Sequence, residues 1–283
     1  MIEFFRHLDR RWIFLAMFFA IAIPILTGLT FPEDPSPMVR SVFQTVDDLP
    51  EGSSILIACD YDPASKGELE PMDAAFTRHC ALKKHKIFYI TLWPGAVPMI
   101  KKNIDILEDE FPNYKYGVNY VNLGFQAGQE GVIKVIVNEL QDMYSFDDDG
   151  TNLDGIPITR DVKNIQQMDL IINISAGTPG AKEWIQYAAT PYGIPMIAGT
   201  TGVGAPPLYP YIPDQLTGIL GAIKAAAEYE QVLLEAYPEQ CNNPRSRLGQ
   251  QRMGSQLVGH LLIIGLIVVG NIVYFSDRKR GKV

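Results

Sequence analysis

Two stretches without a formal charge bracket this chain and constrain it more than any other feature. Between Trp12 and Leu29 no charged side chain occurs, and Ile13 to Ile23 is almost purely aliphatic and aromatic. Between Gln256 and Phe275 the pattern recurs, around a core of Leu261 to Val269. Each run is close to the ~20 residues an α-helix needs to cross about 30 Å of hydrocarbon. Neither shows the polar stripe of a helix packed on a soluble core. The expectation is one spanning helix at each end, over residues 12–30 and 256–275. A cleaved signal peptide is the alternative for the first run. However, Thr27-Gly-Leu-Thr-Phe-Pro32 offers no small-x-small pair for cleavage, so an uncleaved anchor is expected. Pro24 should kink or end the first helix.

Flanking charge sets the orientation. Arg6, Arg10 and Arg11 precede the first run, and Arg278, Lys279, Arg280 and Lys282 follow the second. The inner flanks carry Arg40, Arg245, Arg247 and Arg252. Seven against four favours a cytoplasmic N-terminus (1–11) and a cytoplasmic basic tail (276–283), by the positive-inside rule. The body, 53–237, then lies outside, joined by linkers over 31–52 and 238–255. A bacterial inner membrane fits this arrangement. The formal charge is −8; the first twelve residues sum to +1 and the last eight to +3, leaving −12 on the interior. An acidic body lacks the basic stripe of a nucleic-acid binder. The expected partners are the lipid bilayer and other membrane-protein subunits, or a second copy of the chain.

The interior changes periodicity. Phe31 to Met38 is Pro-rich and reads as a stiff, extended connector. Short continuous apolar runs suited to strands buried on both faces follow at Ser54–Cys59, Ile87–Trp93, Tyr116–Leu123, Asp169–Ile174 and Ile194–Ala198. Helical periodicity fills the gaps at Glu68–His85, Pro98–Phe111, Gln129–Tyr144 and Ala181–Ala189, and Gln215–Tyr237 closes the domain. Ser145–Gln167 reads as a polar stretch. This alternation predicts an α/β domain: a doubly wound, mostly parallel five-stranded sheet, Rossmann-like or flavodoxin-like, flanked by one transmembrane helix at each end. Cys59 and Cys80 read as buried small hydrophobes, with a disulfide between them as the alternative. Cys241 completes no framework.

Ligands of open parallel sheets bind outside the carboxyl ends of the strands. Small and hydroxylated residues gather there. Asp60-Tyr-Asp62 follows the first strand, Trp93 the second, Ser175-Ala-Gly177-Thr178 the fourth, and Thr200-Thr201-Gly202 the fifth. Gly turns and hydroxyls of this kind suit an anionic ligand, although capping and tight turns favour the same residues. With the first, fourth and fifth strands side by side, these residues share one rim. Asp60 and Asp62 form the sharpest pair, suited to hold a divalent cation or to act as nucleophile and acid, with Asp60 as a cap of the following turn as the alternative. The pair resembles the first motif of haloacid-dehalogenase-type phosphatases, with Ser175 standing for their second. Pro63 stands where that family has Thr or Val, and no acidic pair follows the fifth strand. The second reading is a membrane-tethered hydrolase or transferase that uses Asp60 and Asp62.

Other motifs add little. Gly199 to Gly204 lacks GxGxxG spacing, and there is neither a P-loop nor a GxSxG. Asp147, Asp149, Asn152 and Asp154 alternate oxygens as calcium loops do, without the closing Glu. His7, His79, His85 and His260 never fall at metal-ligand spacing, and no cofactor is expected. His260 and Asn271, polar inside the second run, should face the other helix or a partner. The first reading is therefore a two-span accessory or assembly subunit, its outer domain binding a partner protein or a small anionic ligand.

Overall fold

The computed structural model describes residues 9–31 and 33–279. Arg6, His7, Pro32, Arg280 and Lys282 lie outside the described residues. The chain divides into two compact units, Glu33–Gly249 and the pair Met1–Pro32 with Gln250–Val283.

In the terminal unit, α1 (Arg10–Thr27) opens on Asp9, whose Oδ1 accepts from the Arg11 amide at 2.9 Å. Pro24 lies within α1, and the helix ends a turn later at Gly28, with φ 62°. The Leu29 amide donates to the Pro24 carbonyl there, a common glycine-terminated helix end.

The larger unit begins with α2 (Pro37–Asp47), where the sequence suggested an extended connector. Proline is accommodated at the first position of a helix. The Ser36 amide and hydroxyl both donate to Glu228 Oε2, at 3.0 and 2.6 Å, and fix where α2 starts. Then come β1 (Ser54–Asp60), α3 (Lys66–Leu82), β2 (Lys86–Thr91), α4 (Val97–Glu110), β3 (Tyr120–Phe125) and the short α5 (Glu130–Ile136). After a long crossover follow β4 (Leu170–Ser175) and α6 (Ala181–Trp184), which continues through a π turn at Ile185–Ala189 into α7 (Thr190–Tyr192). The domain closes with β5 (Met196–Thr200), β6 (Gly218–Gly221), α8 (Ala222–Ala236) and α9 (Pro238–Cys241).

The sheet is wholly parallel, in the order β3-β2-β1-β4-β5-β6. It has six strands rather than five. The sixth, Gly218-Ile-Leu-Gly221, falls inside the stretch expected as the last helix. It pairs with β5, and the Thr217 amide donates to the Met196 carbonyl. Alternate residues of each strand serve opposite layers. Ile55, Ile57 and Cys59 pack with α2, α3, α4 and α8 on one face. Leu56 and Ala58 pack with α5, α6 and the β3–β4 crossover on the other. The helix expected to reach Tyr144 stops at Ile136. Beyond it the Leu140 amide bonds the Lys163 carbonyl and Gln166 Nε2 bonds the Val137 carbonyl, so the crossover folds back on itself. That crossover also buries Leu153, Ile156, Ile158 and Ile165, despite its polar appearance.

The last element is α10 (Leu248–Lys279), 32 residues long. It packs against the end of α1 closely enough that a Cβ on Gly254 would lie 2.1 Å from the Leu29 carbonyl oxygen. Both α1 and α10 are long and apolar enough to cross a membrane.

Candidate functional site

β4 lies between β1 and β5, so the register places Asp60 beside Ser175, Ser175 beside Thr200, and Thr200 beside Gly221 in one row. This is where the strand order reverses, the switch point at which such folds usually open a crevice. Asp60 faces the α6 side and is fully buried. Its Oδ1 accepts from the Leu92 amide, and its Oδ2 from Asn173 Nδ2 and Trp184 Nε1, each at 2.8 Å. Four elements (β1, β4, α6 and the segment after β2) are thus tied to one carboxylate. Burial pushes its pKa up to about 7, although all three donors favour the ionised form. Both oxygens are engaged and none reaches solvent, so Asp60 works as a strut that can hold a proton near neutrality. It offers no nucleophilic face.

Asp62 points elsewhere and caps its own turn, its Oδ1 accepting from the Ala64 and Ser65 amides at 3.0 and 3.3 Å. Ser175 Oγ accepts from the Ala181 amide at 3.0 Å. A Cβ on Gly180 would stand 2.3 Å from the Gly177 carbonyl oxygen, which explains a glycine there. Trp93 bridges the loops after β2 and β4. Its Nε1 donates to the Pro179 carbonyl at 2.8 Å, and its ring lies against Gly177, where a Cβ would approach within 3.2 Å. Thr178 is exposed beside it. Thr200 is buried, Thr201 Oγ1 accepts from the Gly204 amide, and the Gly202 amide donates to Glu68 Oε2 at 2.9 Å. The carboxyl rim therefore brings Asp60, Ser175 and Thr200 together in the sheet, with Trp93, Gly177 and Thr178 above them. Most of their polar atoms are engaged within the protein.

Several oxygens of the candidate calcium loop are likewise engaged. Asp147 Oδ1 accepts from the Asp149 and Thr151 amides and Oδ2 from the Tyr116 hydroxyl; Asn152 accepts from the Asp154 amide, and Asp154 from Gln141 Nε2. Among the described residues no group of three His, Cys, Asp or Glu side chains is placed to hold a metal ion. All three cysteines are free and buried.

Sequence reasoning missed Asn173, Trp184 and Glu68, because nothing local marks a residue whose partner lies over a hundred positions away. It also missed two further buried polar clusters. Asp73 accepts from the Tyr61 hydroxyl at 2.8 Å and from the Cys59 thiol, and burial raises its pKa to about 6. His79 stacks on Phe43, its Nδ1 2.6 Å from the Tyr229 hydroxyl and its Nε2 3.2 Å from Asp47. Burial lowers the His79 pKa. The geometry fits a neutral ring donating from Nε2 to Asp47 and accepting from Tyr229. The bond from His79, joined by one from Tyr237, holds Asp47 down at about 2.

Fold and rim together define a doubly wound parallel-sheet domain whose switch point is braced by a buried carboxylate and covered by a tryptophan. No protein-family model matches the chain, and no curated protein matches it.

Proposed function

We propose that this chain is a two-span, membrane-anchored accessory subunit whose α/β domain docks a partner protein on the extracytoplasmic side. Both termini are cytoplasmic in this reading, as in a bacterial inner-membrane protein. The observation that carries it is the unburied apolar surface of the terminal helices. In each, only 6 % of the most apolar window is buried within the protein, and Phe14, Leu26, Ile264, Ile267 and Phe275 are among the side chains left exposed. Contiguous apolar surface of that extent calls for lipid or protein around it.

Docking rather than catalysis is favoured by the state of the rim. Asp60 is sealed and Asp62 caps a turn, which removes the acid–base pair a hydrolase would use. The Gly202 and Gly204 amides of the β5 loop are already bonded, which leaves little there to cradle an anion. What the rim does present is Val203, 89 % exposed on a loop that Glu68 holds in place. A single exposed apolar side chain is ordinary on a protein surface, so position 203 serves as the point at which docking at this rim is probed.

Two measurements on intact cells test the reading. A membrane-impermeant maleimide should label Asp148→Cys and spare Lys279→Cys until the cells are permeabilised. A photo-crosslinking amino acid at position 203 should give one discrete adduct, and the same group at Lys134, on the far flank, should not. Labelling of Lys279→Cys from outside would refute the topology. Absence of any adduct specific to position 203 would refute docking at this rim.

A further inference from the structure

A second concavity lies on the opposite face of the sheet from the Asp60 side chain, between α3 and α4, with a volume of about 320 Å³. Its walls follow from helical spacing. Glu70, Ala74 and Arg78, four residues apart, face it from α3. On α4, Met99, Asn103, Ile106 and Glu110 form its central row, and Lys102, Asp105 and Asp109 its edge. The ring of Tyr61 contributes to the lining, and Arg245 and Leu248 close one side from the segment after α9. The size falls at the lower end of small-molecule sites, and the floor of Tyr61, Ala74, Met99, Ile106 and Leu248 is apolar within a ring of charged side chains.

Charge decides what such a site would take. The basic residues of the wall are already matched. Arg78 is held by Glu110 through two bonds, Nε to Oε2 at 2.7 Å and a second guanidinium nitrogen to Oε1 at 2.8 Å. Lys102 Nζ lies 2.6 Å from Glu70, and Arg245 lies 3.2 Å from Asp109. Four acidic residues against three basic ones leave one formal negative charge on the lining. Asp105 accounts for it: exposed at the mouth, it makes neither a salt bridge nor a side-chain hydrogen bond among the described residues. An anion entering here would meet an unpaired carboxylate and find each cation engaged. A cation would complete the pattern, with the apolar floor left for the rest of the molecule. The Arg245–Asp109 pair is exposed on both sides, so it contributes little and the strap can adjust to a guest.

We propose that this cleft binds a small organic monocation, a protonated amine carrying an apolar or aromatic body, with Asp105 receiving the ammonium group. The site is separate from the rim, and its existence does not depend on the docking reading.

Methyl NMR on the full chain in detergent tests it, with the methionine methyls carbon-13 labelled and Met99 as the reporter inside the cleft. The probes are 2-phenylethylammonium, 2-phenylethanol and 3-phenylpropionate, which share a body and differ in charge. The cation should shift Met99 saturably and most tightly, the alcohol more weakly, and the anion not at all. Asp105→Asn, an exposed and fold-neutral change, should weaken the cation by about fivefold or more, as expected for losing one close charge contact near a protein surface. The proposal is overturned if the anion moves Met99 as readily as the cation. It is also overturned if Asp105→Asn binds unchanged, or if the probes shift only Met17 and Met253 on the apolar helices, which is partitioning into the micelle.

Discussion

Replacing Asp60 by Asn removes one titrating group without changing its size, and the consequence can be worked from its surroundings. A folded pKa of about 7, against the ordinary 3.8, means that the native state keeps a proton the unfolded chain has already released. Asp60 therefore adds stability as pH falls from about 7 towards 4, and that contribution is lost as pH rises through 7. Each pH step of one over which the two states differ by a full proton is worth about 1.36 kcal/mol. Moving from about pH 8 to about pH 5 should thus add roughly 2.5 kcal/mol through this side chain alone. Asp73, raised to about 6, acts in the same direction. His79 and His85 oppose them, because burial lowers both and the unfolded chain takes up protons that the native rings refuse. The net slope of the wild type is thus the remainder of opposing contributions, and the difference between wild type and Asp60→Asn isolates Asp60. Urea unfolding in detergent at the two pH values, followed by tryptophan fluorescence, measures that difference. The variant should lose about 2.5 kcal/mol more, relative to wild type, at pH 5 than at pH 8. Parallel behaviour within about 0.5 kcal/mol would refute the reasoning, since it would mean that Asp60 titrates normally. Should the variant fail to fold, a carbon-13 carboxyl titration of wild type decides the matter, and a midpoint near 4 for Asp60 would refute it equally.

Gly180→Ala should cost about 1–3 kcal/mol, because its Cβ meets the Gly177 carbonyl oxygen and Ser175 Oγ, whereas Gly67→Ala at the open start of α3 should be neutral or slightly stabilising; thermal unfolding separates them. Ser36→Ala removes the 2.6 Å bond to Glu228 and should cost about 1.5–3 kcal/mol, read as a lower urea midpoint at unchanged slope. Ile264→Arg places a charge in the middle of the second apolar run, at about 2.5–3.5 kcal/mol on insertion scales, and should sharply reduce the membrane-integrated fraction after carbonate extraction. Normal integration of that variant would count against a spanning α10.

The parallel sheet was legible because strands buried on both faces need unbroken apolar runs, and five of them stand out between helical periods. The sixth did not, since Gly218-Ile-Leu-Gly221 is only four residues long and runs straight into the Ala-rich start of α8. Pro35 and Pro37 masked α2, although Ser36-Pro37 is also a helix-opening pair. At the rim, sequence could name the strand ends and anticipate that β1, β4 and β5 are neighbours. It could not tell that Asp60 would be sealed while Asp62 capped a turn. That depends on Trp184, 124 positions away, swinging its indole over the end of β1.

Trp93 carries a kinetic and thermodynamic meaning beyond its place in the rim. A guest entering between the loops after β2 and β4 must first displace the indole. That breaks the bond to the Pro179 carbonyl, at about 1 kcal/mol, and uncovers part of a large ring, at about 1.5 kcal/mol. A gap of about 2.5 kcal/mol leaves the open form at about one molecule in seventy, and the apparent affinity of any guest falls by that same factor. The crevice that the fold supplies by default is thus latched, and only a ligand or partner that recruits the rare open form, or replaces the indole's contacts with its own, would find it vacant.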